Sequence, residues 1–135
     1  AGCLGLMQIS PALAAQELDV PETVLLPTVN LRVGIAYLKL QYDRFPEIPM
    51  HHNRIMFALA AYNCGRAYVN MALRLARREE QKTVRQEGKW QGWSFSSVYL
   101  GDPRCMVRGK RPDARQVLDY VEFIMRRWGE YLQAL

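Results

Sequence analysis

The chain has 135 residues, of which 50% are hydrophobic and 23% are charged, and its formal net charge is +5. This length and composition suit one globular domain and exclude a disordered tail, a collagen-like repeat and a low-complexity linker. Residues 1–16, the longest charge-free stretch, include glycines, glutamines, a serine and a proline, so we expect no membrane-spanning helix and no targeting signal. Because the chain opens on Ala-Gly-Cys rather than Met, we expect it to be part of a longer protein.

Two helices are predicted in the first third of the chain. Ser10 is an N-cap followed by Pro11 at the first helical position, which predicts a short helix to about Leu18. Apolar positions at three- and four-residue spacing then predict an amphipathic helix that ends before Pro46. These positions are Leu31, Gly34, Ile35, Leu38 and Tyr42.

The middle of the chain contains its most hydrophobic segment. After a loop at residues 46–53, the run from Arg54 to Asn63 is almost wholly apolar, which predicts a central buried helix. The Asn63-Cys64-Gly65 sequence ends that helix, and another is predicted from Ala67 to about Gln81. Its inward positions are Tyr68, Val69, Ala72 and Leu75.

Glycines and prolines punctuate residues 82–112 without a lasting period, which predicts a long, partly ordered loop at about 82–112. Asp113 caps a final helix that runs to the C-terminus. The predicted apolar stripe of that helix is Val117, Val121, Ile124, Trp128, Tyr131 and Leu135. No pair of alternating segments adjoins a hairpin turn, so we predict an all-α fold and a single domain over residues 1–135.

The side chains that usually carry catalysis give no strong pattern. Each carboxylate, including Glu79 and Glu80, lies on a polar helix face, in a loop or at a cap, where nothing raises its pKa. The adjacent His51 and His52 are predicted to occupy a solvated turn rather than a metal site. GxSxG, HExxH and P-loop motifs do not occur.

The charge and cysteine patterns argue against several kinds of partner. Residues 71–135 carry 13 Lys/Arg and 8 Asp/Glu, but the acids interrupt the basic clusters, which favours solvated surface over a nucleic-acid interface. Cys3, Cys64 and Cys105 include no CxxC pair, so we expect neither a structural metal nor a disulfide scaffold, although one pair can form in an oxidising compartment. No cofactor is expected.

Two short segments place isolated polar groups among apolar residues. Gln8 lies in the apolar segment at residues 5–11, and Tyr62 and Asn63 end the most hydrophobic helix, within residues 58–65. The two carboxamides can each donate and accept hydrogen bonds, as sugar hydroxyls and N-acetyl groups require.

The aromatic and apolar side chains suggest how a sugar ring would be held. Met7, Tyr62 and Tyr120 can supply flat apolar surface for a pyranose. A structural interpretation is also available, because a Gln before a helix cap and an Asn after a helix are common devices. Periodicity alone favours that structural interpretation.

Four short motifs follow one another along the chain. They are GLMQI at residues 5–9, NLxxGxxYL at 30–38, ALAAYNxG at 58–65 and YV at 120–121. In order and spacing they resemble the catalytic domain of the bacterial lytic transglycosylases, relatives of goose-type lysozyme. The later part, with Trp93 and then Arg108-Gly109, is similar to the membrane-bound lytic murein transglycosylase F group.

The resemblance implies a lysozyme-like helical domain around a buried central helix. It implies cleavage of the MurNAc–GlcNAc bond of peptidoglycan without water, which leaves 1,6-anhydro ends, by one Glu acting as acid and then as base. It also implies a monomer in the bacterial cell envelope, with any membrane attachment through parts outside this chain. A non-catalytic saccharide-binding module and a hydrolytic muramidase remain as alternatives.

The resemblance also assigns roles to individual residues. It implies that Gln8 contacts substrate near the catalytic Glu, that Tyr62 and Asn63 line the saccharide cleft, and that Tyr120 closes it. Met7 belongs to the same substrate-binding set.

Three positions depart from the family pattern. Cys64 stands where a small residue is usual, and Gln116-Val117 replaces a Glu-Thr pair. The catalytic Glu is expected upstream of Ala1, since Glu17 follows the motif and is predicted to face solvent. We therefore expect the 135-residue chain alone to be inactive.

Overall fold

The computed structural model describes residues 27–134, together with Met7, Ser10, Ala12, Gln16 and Glu17. The chain divides into two compact units, residues 1–44 and residues 45–135. The single domain over residues 1–135 therefore stays a prediction. Of the helix predicted to begin after Ser10, the described residues Ala12, Gln16 and Glu17 are helical, and the others lie outside the described residues.

The first unit contains helix α1, Pro27–Asp43, which confirms the second predicted helix. The predicted apolar stripe is buried only in part: Gly34 is buried, whereas Leu31 and Ile35 are 47% and 57% exposed. The buried positions follow the same spacing shifted by one residue: Asn30, Val33, Gly34 and Gln41. Apolar residues occur on several sides of α1, so the spacing of apolar residues did not identify the buried side.

The second unit is built around helix α2, His51–Cys64, whose residues 57–61 are all buried. This confirms the central buried helix. The helix begins three residues before the predicted Arg54, so His51 and His52 form its first turn, exposed to solvent, rather than a loop. Met50 precedes them at the N-cap and has no side-chain oxygen with which to cap a helix, so the sequence carries no start signal there.

Helix α3, Arg66–Gln81, follows after a single residue, Gly65. Gly65 has φ +99°, a conformation that side-chain-bearing residues rarely adopt, and its N–H donates to the Ala61 carbonyl at 2.9 Å. The predicted helix is confirmed within one residue at its start, with Val69, Ala72 and Leu75 buried and Tyr68 half-buried.

The segment predicted as a loop contains three short helical turns. They are a 3₁₀ turn at Lys89–Gln91, helix α4 at Trp93–Ser96 and a second 3₁₀ turn at Ser97–Gly101. The indole of Trp93 packs edge-on against Phe57 of α2, with ring centroids 5.3 Å apart. This contact joins the segment to the core of the second unit.

Helix α5, Ala114–Ala134, closes the second unit and packs against α2. Asp113 caps it as predicted, because its carboxylate accepts the Gln116 N–H at 3.1 Å. The predicted stripe is buried only at Val117 and Val121. Its later members Trp128 and Tyr131 are exposed, and Leu135 lies outside the described residues.

The all-α class is confirmed, since the described residues contain helices and one isolated bridge between Val107 and Lys110 but no strand. Helix α2 contacts α3, α4 and α5, as expected of a central helix. No helix in the described part of the chain combines the length and the apolar character needed to cross a bilayer.

Candidate saccharide-binding site

In the first unit, Met7 is held against α1. Its backbone N–H donates to the Asn30 side-chain oxygen at 2.7 Å, and Asn30 is fully buried. A Cβ at Gly34 would lie 2.5 Å from the Met7 Cγ. Only glycine therefore fits at residue 34 without moving Met7. These contacts explain the asparagine and glycine of the NLxxGxxYL motif. Gln8 lies outside the described residues.

In the second unit, Tyr62 and Asn63 occupy the last turn of α2. Both side chains are half-buried, and Tyr62 follows directly on the fully buried Ala61. The Asn63 Oδ1 atom is buried and accepts no hydrogen bond from any residue in the described part of the chain. An unsatisfied buried acceptor typically costs about 1–3 kcal/mol, so it calls for a compensating partner.

Cys64 follows this pair and is half-buried, with its sulfur 3.6 Å from the Gly65 carbonyl oxygen. Burial raises the pKa of its thiol to about 12, with a smaller contribution from Cys105. The thiol is therefore protonated at neutral pH and behaves as a small apolar side chain. This accounts for a cysteine where the family pattern has a small residue.

Tyr120 lies on α5, the helix that packs against α2. It is half-buried, and burial raises the pKa of its hydroxyl. Tyr120 lines an open groove of about 460 Å³, a size suited to a small-molecule ligand. The other described residues of the groove are Gln116, Asp119, Glu122, Phe123 and Arg126.

Two carboxylates of the second unit, Glu79 and Asp102, have lowered pKa values. Hydrogen bonding to Lys82 lowers the pKa of Glu79. Hydrogen bonds from Arg104 lower the pKa of Asp102 to about 2. Neither is suited to donate a proton near neutral pH.

The sequence did not predict the surroundings of the carboxylate of Glu80. It is only 4% exposed, contrary to the predicted solvated position, and it accepts the backbone N–H of Lys89. Its neighbours along the chain are charged and polar, so only the return of residues 82–92 over α3 buries it. This role is structural.

Metal binding finds no support in the described residues, which contain no group of three or more His, Cys, Asp or Glu side chains arranged to hold an ion. The predicted site residues of the second unit are one carboxamide, Asn63, and two aromatic side chains, Tyr62 and Tyr120. Met7 lies in the first unit, whereas Tyr62, Asn63 and Tyr120 lie on packed helices of the second.

Comparison with protein families matches residues 1–85 to the transglycosylase SLT domain. The match includes Met7, Gln8, Tyr62 and Asn63, whereas Tyr120 lies beyond it. No solved structure matches the chain.

Several curated relatives are named membrane-bound lytic murein transglycosylase F. The relative from Desulfosudis oleivorans is 36% identical over 76 residues, which is 56% of this chain and 16% of the relative. That from Shewanella denitrificans is 49% identical over 47 residues, 35% of this chain and 10% of the relative. That from Maricaulis maris is 34% identical over 77 residues, 57% of this chain and 16% of the relative. The aligned part of the chain thus corresponds to less than a fifth of each relative's length.

Proposed function

This chain belongs to the transglycosylase SLT domain family, and we propose that it acts in a peptidoglycan lytic transglycosylase. The reaction is non-hydrolytic cleavage of the MurNAc–GlcNAc bond, with 1,6-anhydroMurNAc ends as products. The names of the relatives, which describe murein transglycosylases, support this substrate.

The observation that carries the proposal is the buried Oδ1 atom of Asn63, which has no donor among the described residues. Because Asn63 is only half-buried, rotation of its carboxamide can bring this oxygen to the surface, where a ligand can donate the missing hydrogen bond. Sugar hydroxyls and the N–H of an N-acetyl group are donors of the required kind. We assign Asn63 to substrate binding at the end of α2.

Tyr62 and Tyr120 supply the apolar part of the same site. Aromatic rings pack against the C–H face of a pyranose, and each of these tyrosines is half-buried, which leaves part of the ring accessible. We propose that glycan occupies the groove beside Tyr120 and contacts Tyr62 on the neighbouring helix. Met7 and Gln8, which belong to the first unit, stay predicted substrate-binding residues.

In the proposed reaction a glutamate protonates the oxygen of the leaving sugar as the C1–O bond breaks. The same group then takes the proton of the MurNAc C6 hydroxyl, whose oxygen bonds to C1, so no water enters the product. The proposal retains the expectation that this glutamate precedes Ala1. It places the protein in the bacterial cell envelope, as a monomer acting on glycan strands.

Product analysis tests the reaction. Purified peptidoglycan is incubated with a longer form of the protein that includes the glutamate expected before Ala1, and the released muropeptides are separated and weighed by mass spectrometry. The 135-residue chain serves as the control and should release no product. We expect anhydro ends. Products heavier by one water would establish the hydrolytic alternative, and glycan binding without any released product would establish the binding module.

A binding measurement tests the site independently of the reaction. We expect Tyr62→Ala to weaken chitooligosaccharide binding by about 1–2 kcal/mol, the usual worth of an aromatic contact together with its buried area. Gln8→Ala is the companion variant, because it removes a carboxamide that can donate and accept hydrogen bonds. If both variants remain folded and bind glycan as the parent does, the proposed site is wrong.

A further inference from the structure

A second pocket lies in the second unit, on the C-terminal half of α3. Its volume is about 200 Å³, below the usual range of about 300–1,000 Å³ for drug-sized ligands. It therefore suits a single charged group better than a saccharide chain. Its lining residues are Glu47, Asn70, Leu73, Arg74, Arg77 and Trp90.

Hydrogen bonds fix the walls of this pocket. The Gln91 side-chain amide donates to the Glu47 carbonyl at 3.0 Å, which ties the first 3₁₀ turn to the chain before α2. The Ser96 hydroxyl donates to the Trp90 carbonyl. The Lys89 N–H is bound by the buried Glu80 carboxylate of α3. The backbone on both sides of Trp90 and its own carbonyl are thus held in place without a ligand, which favours preorganised binding.

The two arginines give the pocket its chemistry. Arg74 and Arg77 are one helical turn apart on α3, and the guanidinium carbon of Arg77 lies 4.1 Å from the centroid of the Trp90 ring. Stacking occupies one face of a guanidinium and leaves its in-plane N–H groups available for a bidentate contact. In the described part of the chain, no carboxylate lies within 4.0 Å of either guanidinium.

The other polar groups narrow the class of ligand. Glu47 contributes one carboxylate to the lining, and Asn70 contributes a carboxamide. The pocket is therefore complementary to a peptide: the two arginines match its carboxylates, the glutamate matches an ammonium group, and the asparagine matches its amide bonds. An uncharged glycan strand can accept hydrogen bonds but offers no carboxylate to balance the two positive charges.

We propose that this pocket binds a carboxylate of the acidic stem peptides that peptidoglycan carries. The proposal rests on the proposed function for the choice of ligand, but it concerns a different set of residues from the Tyr62 and Asn63 site. In this arrangement Arg77, oriented by Trp90, forms the bidentate contact, and Arg74 adds a second positive charge.

The test uses the whole 135-residue chain, ¹⁵N-labelled and titrated by NMR. The probes are the tetrapeptide L-Ala-γ-D-Glu-diaminopimelate-D-Ala, the same peptide with amidated carboxyls, and an uncharged chitooligosaccharide. We expect only the free acid to shift the Asn70, Arg74 and Trp90 amides. Equal binding of the amidated peptide would overturn the proposal, as would glycan-induced shifts of the same amides.

Variants then separate a specific contact from general charge attraction. Arg77→Gln should weaken peptide binding about tenfold, and Arg77→Lys should restore it only in part, because lysine lacks the planar fork. Arg78→Gln removes the same charge from an exposed residue of α3 outside the pocket lining. It should change the affinity less than about twofold. Equal losses for the Arg77→Gln and Arg78→Gln variants would overturn the proposal.

Tyr62→Ala distinguishes failure of this proposal from failure of the proposed function. It should leave the affinity for the peptide unchanged, since Tyr62 does not line the pocket. If glycan binds at the Tyr62 site but the peptide does not bind, the inference here is wrong and the proposed function stands. If the peptide binds as expected but glycan does not, the proposed saccharide site is wrong while the proposed carboxylate-binding pocket stands. Melting curves of each variant confirm that it is folded.

Discussion

The α2–α3 helix pair and residues 82–113 lie in the same unit but are stabilised by different means. In α2 an unbroken buried run, residues 57–61, places apolar side chains against the neighbouring helices. Residues 82–113 instead contain only short helical turns, and they combine a few buried apolar side chains, such as Leu100, with polar anchors. The carboxylate of Glu80 accepts the Lys89 N–H, and the carboxamide oxygen of Asn53 accepts the Trp93 N–H at 3.0 Å.

The difference shows how much each region depends on individual residues. Helix packing spreads the free energy of folding over many apolar contacts, and a truncation there costs roughly the area and cavity volume it removes. In an irregular segment, one buried acceptor satisfies one backbone donor, so its loss leaves an unpaired group. A truncation in the helical core should therefore destabilise the whole unit. Loss of one buried acceptor should destabilise only the segment that it holds.

The largest expected effect is in the helical core. Phe57 is 1% exposed and contacts Phe45 and Trp93, so Phe57→Ala should lower the free energy of unfolding by about 3–5 kcal/mol. Denaturant titration measures this change in the free energy of unfolding. The matched control is Phe123→Ala, because Phe123 is 49% exposed and its truncation should cost less than about 1 kcal/mol. Similar losses in both variants would refute the core assigned to α2.

The second-largest expected effect is a loss of stability in residues 82–113. Glu80→Ala should lower the free energy of unfolding by about 2–3 kcal/mol, because it leaves the Lys89 N–H without its acceptor. Hydrogen exchange should accelerate at Lys89 and in the adjoining 3₁₀ turn before it does so in α2. Glu79→Ala removes a neighbouring carboxylate that pairs with Lys82 and Arg104 but does not contact the Lys89 N–H, so it should leave exchange at Lys89 unchanged. Uniform acceleration across the unit would contradict a local anchor.

A smaller effect is expected at the junction of the two helices. Gly65→Ala has open space for its Cβ, so its cost is the positive φ alone, about 1–2 kcal/mol. Gly129→Ala is the opposite case, since Gly129 lies inside α5 with nothing near its Cβ, and alanine there should stabilise by about 0.5–1 kcal/mol. Melting temperatures should therefore shift in opposite directions. A shift of the same sign in both variants would contradict the positive φ assigned to Gly65 or the helical conformation assigned to Gly129.

The smallest expected effect is the acid sensitivity of residues 102–104. Hydrogen bonds from Arg104 lower the pKa of Asp102 from 3.8 to about 2. A carboxyl whose pKa is lower in the folded state stabilises it above pH 3.8, and this contribution is lost as the pH falls through about 2. The difference in melting temperature between the parent and Asp102→Asn should shrink over that range. A constant difference would mean that the Asp102 charge adds nothing to stability.

The sequence predicts the regular part of this fold well. The helices α1, α2, α3 and α5 were located within a few residues by apolar spacing and by punctuation such as Gly65 and the Asp113 cap. The spacing did not predict which side of α1 is buried, where Asn30 and Gln41 replace Leu31 and Ile35. Long-range contacts decide such details, and those contacts have no local pattern.

The candidate site shows the same limit. The order of the motifs identified Tyr62 and Asn63, and residues 1–85 match the family. The burial of Asn63 Oδ1 without a donor among the described residues is a property of the folded chain. The burial of Glu80 and the stacking of Arg77 on Trp90 likewise depend on the path of residues 82–92.

Asn63→Leu tests the assignment of Asn63 to substrate binding most directly. Leucine has nearly the same shape and removes the buried acceptor, so the free energy of unfolding should stay equal or rise by about 1 kcal/mol. Chitooligosaccharide affinity, measured by calorimetry on the same preparation, should fall about tenfold, the equivalent of one hydrogen bond. A variant that loses more than about 1 kcal/mol of stability while binding glycan as tightly as the parent would contradict the account, because Asn63 would then support the fold rather than the substrate.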